Sequence, residues 1–132
     1  MPKFVILRHE PGPQSDRSLH WDLMLESEHS LKTWALPAEP ANTGTMLAEA
    51  LPDHRKDYLD YEGPLSGERG EVTRWDSGSY EFEQRGEKEF TVRLCGIRVP
   101  ALVSFKRRDV NPASWTVEFQ SATGEDSKAS LD

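Results

Sequence analysis

Two residues in this chain, His20 and Asp22, have the types and spacing to act together. They lie in LHWDLMLE, residues 19–26, where side chains alternate: Leu19, Trp21, Leu23 and Leu25 on one face, His20, Asp22, Met24 and Glu26 on the other. Period-two alternation predicts a half-buried strand whose leucine and tryptophan side covers a core. Residues two apart on a strand project the same way, with about 6.5–7 Å between Cα atoms, so an imidazole and a carboxylate can converge on one ion. A solvated strand face carries such pairs too, so a metal reading needs a further ligand. His9, closing the apolar run FVIL, supplies one if its strand neighbours the first. Two imidazoles and a carboxylate suit manganese, iron or zinc better than a thiolate-loving metal, with water or substrate oxygens at the remaining positions. Taken singly, His9 also fits a strand-end histidine bonded to backbone.

The elements that must position these residues are short strands. Residues 3–9 read as a strand too apolar on both faces to be an edge in water. Residues 10–18, with Pro11, Gly12 and Pro13, form a loop long enough to flap over a site. Residues 31–36 pair with 19–26 as a meander, and 37–45 are loop. Residues 46–51 are open between helix and strand. Residues 52–63 are polar, with His54 and Tyr58 four apart: on one face if helical, otherwise in a loop that can fold onto the site. Residues 63–70 are a turn. Residues 71–76 and 79–82 read as a hairpin turned at Ser77-Gly78, and 90–94, 101–106 and 114–119 as the last strands. About eight antiparallel strands with little helix predict a small closed or nearly closed β-barrel. The domain spans 1–120, and 121–132, with little to bury, is expected to be a disordered tail.

A chain of 132 residues with one cysteine has no internal disulfide framework, which fits a reducing cytoplasm, with Cys95 expected as a small buried side chain. No apolar run approaches a membrane span and no signal peptide is evident, so a soluble, cytoplasmic, monomeric protein is expected. The net charge of −7 argues against a general nucleic-acid coat protein, although local bases would suffice to grip a strand end. There is no glycine-rich phosphate loop, paired-cysteine zinc motif or Ser-His-Asp elbow. His29 reads as a turn residue.

In order along the chain, FVILRHE, LHWDLMLE, LKTWALP, DHRKDYLDYEG, ERGEVTRWDSGSYE and FTVRLCG resemble the 3′-phosphoesterase domain found at the start of bacterial DNA ligase D and as stand-alone proteins. The resemblance implies a manganese-dependent enzyme on a small β-barrel that removes a 3′-phosphate or a 3′-terminal ribonucleotide. The substrates implied are nucleic-acid 3′ ends, DNA or RNA-tipped primer, with a ligase or polymerase of end joining as associates. Family metal ligands match His9, His20 and Asp22. The residues facing the phosphate match His54 and Tyr58, with His54 contacting the phosphate or protonating the leaving oxygen.

Three positions depart from the family: Met24, Ala38 and Met46 stand where it has arginine, lysine and arginine. Each lost charged hydrogen bond to phosphate costs about 1.5–3 kcal/mol. Arg8, Arg17, Arg55 and Lys32 are left as candidate replacements. The alternative reading is therefore a weakened or inactive relative that acts as a metal- or nucleic-acid-end-binding module. A third is a non-haem iron oxygenase, in which His54 rather than His9 would complete the triad.

Overall fold

The computed structural model describes residues 2–13, 15–41 and 43–121. Strands β1 (Lys3–Glu10), β2 (His20–Glu26), β3 (Leu31–Leu36), β4 (Gly44–His54), β5 (Gly63–Pro64), β6 (Glu71–Gln84), β7 (Glu89–Gly96), β8 (Pro100–Arg107) and β9 (Ser114–Ser121) make one sheet. Its order is β1-β2-β3-β4-β9-β8-β7-β6-β5, and an additional β1–β6 pairing closes eight strands into an antiparallel barrel. The two-residue β5 hangs on the outside of β6. Two 3₁₀ turns, Lys56–Leu59 and Ser66–Glu68, flank β5. The barrel expected from the sequence is present. Of the expected tail, Ser121 ends β9 and the rest lies outside the described residues. No helix among the described residues is long and apolar enough to cross a membrane.

Inside the barrel, Phe4, Ile6, Trp21, Leu23 and Leu25 meet side chains from every other wall. Trp34, Phe90 and Phe105 pack with ring centroids 4.6–5.8 Å apart, which adds ring-on-ring contact to area burial. A second, smaller cluster sits outside: Val5, Leu7, Met24, Leu31 and Val72, covered by Tyr58, Leu59 and Leu65. Residues 55–70 thus lie over the outer face of β1 and β2. That explains why β1 is apolar on both sides, as strands covered on both faces must be.

Several local expectations are corrected. Ser77-Gly78 is not a turn, because β6 runs straight through it, with Phe4 opposite Gly78 on one side and Gly96 opposite it on the other. The glycine serves close approach instead: a Cβ there would lie 2.1 Å from the Cys95 carbonyl oxygen. The partner of β6 in the hairpin is therefore β7, not residues 79–82. Cys95 is exposed, because it follows inward-facing Leu94 on a strand whose alternate residues point out. Residues 46–51 are strand within β4, since β3 and β9 flank them and take up their backbone groups. Asp76 is buried at 5% exposure, and its carboxylate accepts from the amides of Ser77, Ile97, Arg98 and Val99 at 2.8–3.0 Å. That acid is saturated and pins the β7–β8 turn.

Candidate metal centre

The outward faces of β1 and β2 carry the candidate ligands. Antiparallel register sets His9 directly opposite His20, and Leu7 opposite Asp22. Directly opposed residues share a face, so the two imidazoles are neighbours across the strands and Asp22 stands one step along. The ring centroids of His9 and His20 are 4.6 Å apart. One ligand atom from each of His9, His20 and Asp22 can be chosen so that all lie within 4.8 Å of one another. Among the described residues no other group of three or more such side chains converges in this way.

The hydrogen bonds around the rings decide what faces the centre. His20 Nδ1 lies 2.8 Å from the Ser18 carbonyl and His9 Nε2 lies 3.1 Å from the Arg69 carbonyl. A carbonyl only accepts, so each of these nitrogens carries a proton and donates it. In the neutral rings the remaining nitrogens, His20 Nε2 and His9 Nδ1, then present lone pairs. Both point at Asp22: His9 Nδ1 is 3.2 Å from Oδ2 and His20 Nε2 is 3.3 Å from Oδ1. Two lone pairs facing a carboxylate require a cation between them, either a proton or a metal ion. The outer carbonyls fix ring orientation as they do around metal-bound histidines.

Burial sharpens that demand. Asp22 is 3% and His20 6% exposed, and Asp22 Oδ1, despite its contact with His20, has no well-aligned hydrogen-bond donor. Burial by itself pushes the Asp22 carboxyl upward, but the two histidines outweigh it and hold it below its ordinary 3.8. Burial likewise pushes His20 down, and Asp22 together with the Ser18 carbonyl outweighs it, so its pKa is raised above 6.5. The donor set fits a divalent metal of borderline hardness.

The Arg69 carbonyl reaches His9 from 60 residues away because the backbone at Gly70 has φ of +95°, a left-handed conformation. A Cβ on Gly70 would stand 1.9 Å from the Glu10 carbonyl oxygen. No sequence pattern identifies the Ser18 and Arg69 carbonyls, since any residue has one. Gly70 marks this close approach, together with Gly12, whose Cβ would lie 1.9 Å from the Glu68 carbonyl oxygen.

The other predicted site residues sit further along the same face. His54 ends β4 opposite Leu31, whereas Asp22 is opposite Ala35, four residues on, or about 13 Å along the strand. His54 and Tyr58 lie together, with ring centroids 5.5 Å apart, and Tyr58 covers the apolar cluster that includes Leu7 and Met24. Met24 is 1% exposed within that cluster, Met46 packs against the barrel interior and Ala38 is exposed. None of the three brings a cation to the outer face. Of the alternative bases, Arg8 pairs with Glu10, Arg17 with Glu49 and Lys32 with Asp53. His20 itself opens on a cleft of about 620 Å³ walled by Arg17, Ala35, Leu47 and Glu49.

Residues 13–107 match the family model of the DNA ligase D 3′-phosphoesterase domain. The chain belongs to this family. It is 40% identical over 105 residues to the multifunctional non-homologous end joining DNA repair protein LigD of Mycobacterium tuberculosis, covering 73% of this chain and 13% of that protein. Its similarity to the LigD proteins of Mycolicibacterium smegmatis, 40% over 87 residues, and Pseudomonas aeruginosa, 37% over 83, covers 62% and 59% of this chain and 11% and 9% of theirs. The chain thus spans about an eighth or less of the relatives it matches. The family match includes His20, Asp22, His54 and Tyr58 and starts after His9, whose place in the cluster rests on its pairing with His20.

Proposed function

We propose that this protein is a metal-dependent 3′-end-processing phosphoesterase of end-joining DNA repair, removing a 3′-phosphate or a 3′-ribonucleotide. The observation that carries the reading is the convergence of His9 Nδ1, His20 Nε2 and Asp22, with both ring N–H groups committed to backbone carbonyls and a buried carboxylate oxygen left over. His9, His20 and Asp22 hold the ion, a set that accommodates manganese, iron or zinc with substrate oxygens completing it, and manganese is the member the family resemblance favours. When bound, the ion supplies Lewis-acid stabilisation of charge gathering on phosphoryl oxygens. In hydrolysis of a 3′-phosphate, water adds to phosphorus, the bond from phosphorus to the 3′ oxygen breaks, and that oxygen leaves as a hydroxyl. His54 and Tyr58 act on the phosphate side, from the same outer face.

The second reading, a binding module without turnover, is favoured by Met24, Met46 and Ala38, which place no cation where the phosphate would lie. Incubation with manganese and a labelled primer–template ending in a 3′-phosphate or one 3′-ribonucleotide separates the two. Dephosphorylation or shortening that vanishes in His20→Ala is the expected result. Manganese bound by the wild type and lost by the variant, with no product from either end, would leave the binding module instead. An iron oxygenase would need His54 as ligand, and metal binding that survives His9→Ala would be its signature.

A further inference from the structure

The three family positions that lack a cation raise the question of what holds the strand, and the segment over the outer face offers one answer. Residues 55–70 enclose a cleft of about 550 Å³ lined by Arg55, Asp57, Tyr58, Tyr61, Ser66 and Arg69, with Pro64 and Leu65 as its apolar wall. Its two ends touch the two halves of the site described above: Arg69 gives its carbonyl to His9, and Arg55 directly follows His54. The cleft therefore shares Tyr58 with the His54–Tyr58 pair, and Arg69 with the backbone that holds His9.

Its cations are available in a way that the other candidate bases are not. Arg8, Arg17 and Lys32 each face a carboxylate within 3.4 Å, while the Arg55 side chain has no hydrogen bond or ion pair among the described residues. Arg69 is braced without being neutralised: its Nε donates to the Ser66 carbonyl at 2.8 Å and Nη2 to the Ser66 hydroxyl at 3.0 Å. A guanidinium fixed on its own turn keeps its remaining N–H donors for a ligand, and its planar fork matches phosphate oxygens. Tyr58 and Tyr61 line the cleft with the two arginines, their rings 6.1 Å apart and nearly perpendicular, and Tyr61 is exposed at 37%. The Tyr61 hydroxyl donates to the Pro64 carbonyl, which holds that ring in place. Two guanidinium groups beside an exposed ring are what grips single-stranded nucleic acid: charge for the backbone, a π-face for an unpaired base.

We infer that the Arg55–Arg69 cleft binds the phosphodiester backbone of a single-stranded 3′ end, Arg55 and Arg69 each taking a phosphate and Tyr61 stacking a base, so that this segment replaces the clamp absent at Met24, Ala38 and Met46. The inference rests on the phosphoesterase reading for the direction of the strand, but its test needs no turnover.

The test is fluorescence anisotropy with a labelled single-stranded oligonucleotide of about eight residues, titrated across a salt series in EDTA, for the wild type and Arg55→Ala/Arg69→Ala. Each phosphate contact on single strands contributes about 0.7 to the slope of log affinity against log salt. The double variant should lose at least about tenfold in affinity and about 1.4 in slope, and Arg55→Ala alone about 0.7 in slope with manganese binding by calorimetry as in the wild type. Unchanged affinity and slope would overturn the inference, as would absence of wild-type binding. Competition by a nucleoside monophosphate as effective as that by the unlabelled strand would also overturn it, since the cleft would then take a lone phosphate. A wild type that binds the strand through these arginines but cleaves nothing would sink the phosphoesterase reading alone.

Discussion

Asp22→Asn is the most direct probe of the centre, because it keeps the shape of the side chain and removes its charge. Asp22 is buried, with one oxygen 3.2 Å from His9 Nδ1 and the other 3.3 Å from His20 Nε2. At pH 6 in EDTA the His20 contact is charge-assisted, so its loss should cost about 1.5–3 kcal/mol. For a domain of this size that lowers Tm by roughly 5–12 °C. Manganese at one hundred times its Kd should add about 2.7 kcal/mol to the wild type and nothing to the variant, which keeps two neutral nitrogens and no anion. The gap between the proteins then grows to about 4–6 kcal/mol. Raising the pH in EDTA should narrow it. The folded pKa of His20 is above its ordinary 6.5, so its contribution is complete below 6.5 and is lost as pH rises through the folded value. Asp22, held below its ordinary 3.8, contributes above that value and loses its contribution as pH falls through the folded pKa. The assay is thermal unfolding followed by circular dichroism at pH 6 and 9, with EDTA or manganese. An equal manganese-induced rise in Tm for both proteins would refute the assignment of the triad, and an EDTA gap that does not narrow by pH 9 would refute the His20–Asp22 ion pair as its source.

Manganese affinity of the wild type should climb with pH through the His20 titration, by up to about tenfold per unit for the one proton displaced, measured by calorimetry in two buffers of different ionisation heat. Gly70→Ala puts a Cβ against the Glu10 carbonyl at positive φ, so it should destabilise by about 1–3 kcal/mol and, by displacing the Arg69 carbonyl from His9, weaken manganese binding about 10–100-fold. Met24→Arg restores the family's residue type but places a cation in the cluster under Tyr58, Leu59 and Leu65. It should lower stability by about 3 kcal/mol or more in urea unfolding instead of raising phosphatase activity.

The all-β class and the pairing of His20 with Asp22 were legible in the chain because both are consequences of period two, a property of a few adjacent residues. The same is true of the apolar run in β1, whose lack of a polar face already required cover on both sides. His9 was legible as a candidate third ligand only through its expected pairing with the neighbouring strand. The Ser77-Gly78 hairpin failed because glycine serves both turns and close approach, and the choice between them lay in Cys95 and Phe4, contributed by β7 and β1. Cys95 was misplaced because an apolar run of 90–96 does not say which of its alternating residues face in.

What the sequence determined by itself is therefore local: strand character, which residues share a face, and the donor types available to an ion. Tertiary structure decided which face was covered and by what. It buried Met24 beneath residues 55–70, turned Met46 inward, and left Arg55 free of the carboxylates that neutralise Arg8, Arg17 and Lys32. It also brought the Arg69 carbonyl to His9 across 60 residues, which fixes the ring nitrogen that faces Asp22. A backbone carbonyl has no sequence signature, and its arrival depends on barrel closure between β1 and β6, so only the folded chain could specify which ring nitrogens face Asp22 in the candidate centre.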